Sequence, residues 1–250
     1  MLIAALVGAA FLGAVFTNLV AAQQSRPALP ADMDRAAIEQ IVRDTIRDEP
    51  AIIVEALNLY SENHLKDSVR SYLPALLSEE TGYVAGKDAK TAKVAVIEFF
   101  DYHCGFCKRS ADFVRELIEA EPNVKIALRE FPILREESEL ASRYALAARA
   151  QGKYRELHFA MLTHPGVLSE NEILKLAAGA GLDVARLKKD QADPQFTQII
   201  NDDRQAAREM GIDGTPTFII ASIDGEFVEV IPGYKPDEVK AAIAEARKKR

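Results

Sequence analysis

The stretch Val94-Ala95-Val96-Ile97-Glu98-Phe99-Phe100-Asp101-Tyr102-His103-Cys104-Gly105-Phe106-Cys107 decides how the rest of the chain is read. Its first seven residues are an apolar run of strand length broken by one acid, Glu98. Beyond Cys104 the apolar residues Phe113, Val114, Leu117 and Ile118 recur at helical spacing. A strand therefore gives way to a helix near Cys104, which places that sulfur at a helix N-terminus. Unpaired N–H groups and the helix dipole favour an anion there. A thiolate at such a position is stabilised, so its pKa falls below the free value of about 8.5. The thiolate is the attacking species in disulfide exchange.

Cys104 and Cys107 are the only cysteines in the 250 residues, and two cysteines three apart at this junction read first as a redox pair. Other readings compete. A structural disulfide here would close a very short loop and constrain the unfolded chain little. Structural zinc needs about four ligands, and no second CxxC or HxxxH completes the set. His103 adjoins the pair, but His64, His158 and His164 are scattered. Two unrelated thiols are the remaining alternative. Glu98, amid Val96, Ile97, Phe99 and Phe100, is costly to bury unless it has a task; otherwise it points outward from the opposite strand face.

A chain of this length forms one large domain or two small ones. The net charge of −7 argues against a nucleic-acid partner, since no concentrated basic face is implied. The terminal run Arg247-Lys248-Lys249-Arg250 reads as a complement to a helix C-terminus. Residues Leu2 to Ala22 carry no charged side chain and end in Val20-Ala21-Ala22, which reads as a signal peptide over 1–22 cleaved after Ala22. The n-region lacks Lys or Arg, and the stretch is also long enough to stay as a membrane anchor. Either outcome puts the remainder outside the cytoplasm, where disulfides form. With one CxxC and no further cysteine, these residues read as reagents rather than staples.

Residues 23–32, with Pro27 and Pro30, read as a tether. An amphipathic helix is predicted from Asp34 with Ile38, Ile41, Val42 and Ile46 on one face. Pro50 either breaks this helix or starts a new one at its first turn with Asp48 as the cap; the next helix carries Ile52, Ile53, Ala56, Leu57 and Tyr60, and Pro74 and Gly82 then punctuate the chain. This segment, 33–80, has no strand pattern and cannot make a core alone, so its apolar stripes need either a sister subunit or the C-terminal domain. A strand follows at Asn123 to Phe131, and helices fill Ser138 to Met210, with Ser169 and Glu172 as a capping box. Two strands joined through Asp224-Gly225 form a hairpin, and a helix from about Pro236 to Lys248 closes the chain.

That order, with CxxC at the first strand–helix junction and Gly211-Ile212-Asp213-Gly214-Thr215-Pro216-Thr217-Phe218 before the hairpin, resembles an α/β thioredoxin fold. More specifically it resembles the DsbA family of exported thiol-disulfide oxidoreductases over residues 83–250, with an all-helical insertion at about 138–195. The resemblance implies that Cys104 is the nucleophile, Cys107 the resolving cysteine and Cys104–Cys107 the redox-active disulfide. It implies that Pro216 is a cis-proline facing this pair and that Thr215 offers backbone groups to an extended client. Glu98 matches a buried acid that moves a proton to and from Cys107.

Gly105 and Phe106 between the cysteines, with Thr215 before the proline, resemble isomerase-type sites rather than DsbA oxidases. Together with the N-terminal helices they are similar to the suppressor-of-copper-sensitivity C (ScsC) and Com1 relatives, in which such helices build a multimer, trimeric in the best-known cases. The resemblance therefore implies a periplasmic homo-oligomer, a trimer favoured, acting on misfolded or reduced exported proteins as a disulfide isomerase or reductase. A membrane redox partner of the DsbD/ScsB kind would supply electrons, and no cofactor is implied. A dithiol oxidase is the alternative. From another class comes a copper-tolerance protein holding Cu(I) at Cys104 and Cys107, although the chain has only four methionines and no second thiolate cluster.

Overall fold

The computed structural model describes residues 34–248, so the signal-like stretch 1–22, the tether 23–32 and the last two residues of the basic run lie outside the described residues. Five strands form one sheet: β1 (Tyr83–Ala85), β2 (Val94–Phe100), β3 (Val124–Glu130), β4 (Thr217–Ser222) and β5 (Val228–Pro232). Their order is β1-β3-β2-β4-β5. Only β2 and β3 run parallel, in a register that sets Glu98 opposite Leu128. All seven residues of β2 are buried, as expected for a central strand covered on both faces.

Strand alternation divides those seven residues between two cores. Val94, Val96 and Phe100 face α3 (Gly105–Ala120), meeting Val114, Leu117 and Ile118, and the closing helix Pro236–Ala246 through Val239 and Ile243. Ala95, Ile97 and Phe99 face the other way, onto Val69, Leu73 and Leu76. Glu98 shares the parity of Val96 and Phe100, so its carboxyl is buried on the α3 side rather than turned outward. Between β3 and β4 lie only helices: α4 (Glu136–Ala148), a 3-10 turn at Arg149–Gln151, α5 (Tyr154–Thr163), α6 (Glu170–Gly179), α7 (Val184–Asp190) and α8 (Pro194–Glu209). Ser169 caps α6 by accepting the Glu172 amide at 3.3 Å, the capping the sequence signals.

The chain divides into two units between Asn58 and Leu59. The first holds α1 (Arg35–Asp48) and the start of α2 (Ala51–Leu76). Asp34 caps α1 by accepting the Ala36 amide at 3.3 Å, and no α1 residue is buried. Ile41, Val42, Ile46, Ile52, Ile53, Val54 and Leu57 are all exposed. Two expectations need correction, and one strand was not read from the sequence. Asp48 does not cap the second helix: only Glu49 and Pro50 separate the two, so Asp48 is still in the last turn of α1. Pro74 does not end α2, because it falls in the final turn and removes only one internal N–H, while Leu77 N still donates to Leu73 O at 3.0 Å. The short edge strand β1 carries no pattern of its own; its antiparallel pairing with β3 and the stacking of Tyr83 on Tyr154, 4.5 Å between centroids, define it.

At the hairpin, Asp224 Oδ1 accepts from the Ser222 hydroxyl at 2.5 Å and from the Glu226 amide at 3.1 Å. Gly225 has φ +78, a left-handed conformation that glycine adopts without steric cost. Within the basic terminal run, Arg247 donates to Glu121 Oε1 and to Pro122 O, both at 2.6 Å.

Candidate active site

Cys104 is the N-cap residue of α3, in extended backbone, and Cys107 is the third residue of that helix. The Cys104 amide donates to Asp101 O at 3.0 Å, and the Cys104 carbonyl accepts from Lys108 N at 3.0 Å. The chain thus turns sharply out of β2 and straight into the helix. Cys104 is 5% exposed and Cys107 fully buried; both are free thiols. The Thr215-Pro216 peptide is cis, and the Cys104 Sγ–H donates to Thr215 O at 3.1 Å. Residues 111 positions apart in sequence therefore meet at one sulfur.

The two sulfurs, one helical turn apart, have opposite electrostatics. Cys104 is brought down to about 5, first by the hydrogen bond from the Cys107 side chain. The Thr215 side chain and the N–H groups of Cys107 and Phe106 add to this, against a burial cost. This is the anion preference of a helix start expressed in particular donors. Cys107 is pushed well up, by burial first, then by its bond to Cys104 and the charge of Glu98. Burial raises Glu98 to about 8, opposed by the Ser110 hydroxyl and reinforced by Cys104. Ser110 Oγ lies 3.0 Å from Glu98 Oε1 and 3.0 Å from Cys107 O, while Glu98 Oε2 is buried without a protein partner.

The site residues read from the sequence come together here in two layers. Cys104, Cys107, Thr215 and Pro216 meet at the sulfur, with Glu98 behind the helix. Gly105 and Phe106 are both exposed; the Arg109 guanidinium stacks 4.0 Å from the Phe106 ring. A Cβ on Gly105 would meet only an Arg109 nitrogen at 4.0 Å, so space does not require glycine there. Sequence reasoning missed Ser110, whose position three residues after Cys107 puts it on the same helix face, toward Glu98. It also missed Asp101, whose buried carboxylate accepts from His103 N, Ile133 N, Leu134 N and Ser138 Oγ at 2.7 to 2.9 Å. Among the described residues no group of three or more His, Cys, Asp or Glu is placed to hold a metal ion. The two sulfurs are the soft donors that suit Cu(I), and the site adds no third.

A thiolate at a helix start, a buried partner thiol, a facing cis-proline and a thioredoxin sheet define a thiol-disulfide exchange fold. The chain belongs to the family of DSBA-like thioredoxin domains, whose profile matches residues 95–244. The profile of the copper resistance protein ScsC N-terminal domain matches residues 34–61.

A thioredoxin-like oxidoreductase from Silicibacter pomeroyi is 36% identical, with 69% of this chain and 96% of that one covered at a TM-score of 0.63. The thiol-disulfide exchange protein alpha-DsbA2 from Wolbachia pipientis is 28% identical, covering 73% and 96% at 0.65. A linker-deletion variant of Proteus mirabilis ScsC, 23% identical, shares the fold over 89% of this chain and 100% of its own at 0.73. Among curated proteins, the Na(+)/H(+) antiporter NhaA 1 of Salinispora arenicola is 31% identical over 133 residues. The matched region is 52% of this chain but only 20% of that protein, so the chain spans about a fifth of the curated relatives it matches. Among the described residues no helix is long and apolar enough to cross a membrane.

Proposed function

We propose that the chain is an exported, periplasmic protein thiol-disulfide oxidoreductase that corrects disulfides in client proteins as an isomerase or reductase. The observation that carries the exchange chemistry is the split between the two sulfurs: Cys104 near 5 and Cys107 driven upward one turn away. At neutral pH Cys104 is the thiolate. Its sulfur attacks a client disulfide, forming a Cys104–client S–S bond as the client S–S bond breaks and the second client sulfur leaves as a thiolate. That client thiolate can attack elsewhere in the client, which reshuffles it and regenerates Cys104. Otherwise Cys107 gives its proton to Glu98, attacks Cys104 Sγ and releases the reduced client, leaving a Cys104–Cys107 disulfide. Glu98, near 8 with Oε2 unpartnered, suits that proton transfer at neutral pH. A membrane redox partner would then return two electrons to the pair.

The preference for isomerisation rests on the N-terminal helices. Their large apolar side chains are exposed in the single chain, and burying such side chains is worth roughly 1.5–3 kcal/mol each. Association of copies through this segment, as a trimer, would set several Cys104 thiolates around one client. A second reading, dithiol oxidase, is favoured by the strength of the Cys104 thiolate itself, because stabilising the reduced form makes a disulfide more oxidising. Refolding of scrambled ribonuclease by the pre-reduced protein separates them. The isomerase reading expects recovery well above that given by Cys104→Ser, and no gain over that variant ends it. Rapid oxidation of reduced peptides with no unscrambling would leave the oxidase.

A further inference from the structure

His103 has no place in the exchange chemistry described above, yet both of its ring nitrogens are engaged. Leu168 N lies 3.1 Å from His103 Nε2, and a backbone N–H can only donate, so Nε2 is the acceptor. The ring proton is thereby assigned to Nδ1, which lies 2.9 Å from Ser138 Oγ. The Ser138 hydroxyl in turn donates to Asp101 Oδ1 at 2.7 Å. Every donor in this chain of bonds finds an acceptor, and its direction is fixed from His103 to Ser138 to Asp101. Burial lowers the His103 pKa, which suits the neutral ring this arrangement needs.

The bonds join segments that are far apart in sequence. Asp101 and His103 belong to the turn that presents Cys104, Ser138 is in the first turn of α4, and Leu168 lies just before α6. The segment before α6 is tied a second time, through Lys108 Nζ to His164 O. Asp101 also holds the amides of Ile133 and Leu134 at 2.9 Å. Five large apolar side chains beyond residue 60 are exposed among the described residues. Four of them, Phe106, Ile133, Leu134 and Val167, lie on segments fixed by these bonds or between the two cysteines, and Ile223 is the fifth.

We propose that His103 is a positioning residue for exchange with protein clients, locking the 164–168 segment of the helical insertion to the Cys104 turn so that Val167 joins Phe106, Ile133 and Leu134 in receiving an extended apolar client segment beside the thiol. The inference rests on the oxidoreductase reading for its client and on hydrogen bonding for its geometry. His103 does not touch the reacting sulfur bond; it sets where the client lies relative to it.

The test uses the full chain, a fluorogenic disulfide peptide with apolar flanks, and the variants His103→Phe and His103→Gln. Phe fills the space without a polar atom, whereas Gln offers one acceptor and one donor. His103→Phe is expected to raise KM for the peptide five- to tenfold with kcat within twofold, and His103→Gln to return KM to within twofold of wild type. In parallel, nitrogen-15 NMR of the wild-type imidazole is expected to show the proton on Nδ1. An unchanged KM in His103→Phe, a loss confined to kcat, or Gln behaving like Phe would overturn the proposal. A proton on Nε2 overturns it whether or not the variants fold. Wild type that exchanges no peptide disulfide at all, yet carries the Nδ1 proton, would instead remove the oxidoreductase reading and leave the lock standing as geometry only.

Discussion

The N-terminal helices and the sheet unit are built from the same apolar residue types and treat them in opposite ways. In β2 an acid as well as six apolar residues is buried, because the strand is central and helices cover both faces. In α1 and the first turns of α2, Ile41, Val42, Ile46, Ile52, Ile53, Val54 and Leu57 are exposed, the last at 59%. Apolar content therefore does not decide burial; the availability of a second layer does. The sheet unit supplies its own layers and carries the chemistry. The helices leave their apolar side chains exposed in the single chain, and we propose that association of copies covers them.

The largest effect should fall wholly on the sheet unit. Cys104→Ala is expected to lower disulfide exchange by at least about 10³-fold, since it removes the only low-pKa nucleophile. Oligomeric mass by light scattering should not change. A residual rate within tenfold of wild type would mean that Cys107 attacks directly, against its burial and raised pKa. Next in size is Glu98→Gln, which keeps the shape and the Ser110 bond but cannot take a proton. Resolution of the mixed disulfide is expected to slow by about 10²-fold, the usual scale of general base assistance. Quenched-flow trapping should show mixed disulfide accumulating while the first attack keeps its rate; an equal slowing of both steps would remove the relay role.

Much of this was legible from the sequence because it rests on local pattern. The Val94–Phe100 run, the switch to helical spacing at Cys104 and the Asp224-Gly225 turn each specify their element within a few residues. The pairing of Cys104 with Thr215 and Pro216 was reached only by resemblance, since nothing local connects residues 111 positions apart. What stayed hidden is the set of partners that side chains acquire through packing. Ser110 reads as an ordinary helix serine until Glu98 is known to face α3. Asp101 reads as a turn residue until the loop after β3 folds over it. The three-residue β1 has no pattern to read, because edge pairing with β3 alone makes it a strand.

Glu130 is buried and raised to about 8 from the usual 4.5, chiefly by burial; Tyr154 donates to its Oε1 at 2.7 Å, and its Oε2 has no protein partner. A carboxyl whose folded pKa lies above its unfolded one adds stability that is complete below about 4.5 and lost as pH rises through about 8. His158, held near 3 by burial, has the opposite sign: its contribution is complete above 6.5 and is lost as pH falls from 6.5 through 3, so it acts between pH 5 and 6.5 but equally in wild type and in a Glu130 variant. Glu130→Gln mimics the neutral acid without titrating. Between pH 5 and pH 7.5 the wild type is expected to lose on the order of 3 kcal/mol of stability relative to this variant. Urea unfolding at both pH values measures the difference, and the pH-dependent shift of Cys104 cancels because both proteins carry it. Parallel pH profiles would show that Glu130 is ionised throughout.

The smallest effect should fall on the helices and is the one that decides the comparison. The double variant Ile46→Glu/Leu57→Glu adds charge to two exposed apolar positions and touches no residue of the sheet unit's cores. If copies associate through this surface, burying the new carboxylates is unfavourable and the mass should fall to that of one chain. Unscrambling of ribonuclease should then drop by about tenfold, because the other thiolates are no longer held near the client. Exchange with a short peptide should stay within twofold per Cys104, since a small substrate uses one site at a time. A wild type that is already monomeric would leave these helices without a role in catalysis and move the balance to the oxidase. A monomeric double variant that still unscrambles at the wild-type rate would place isomerisation in the Cys104 site alone.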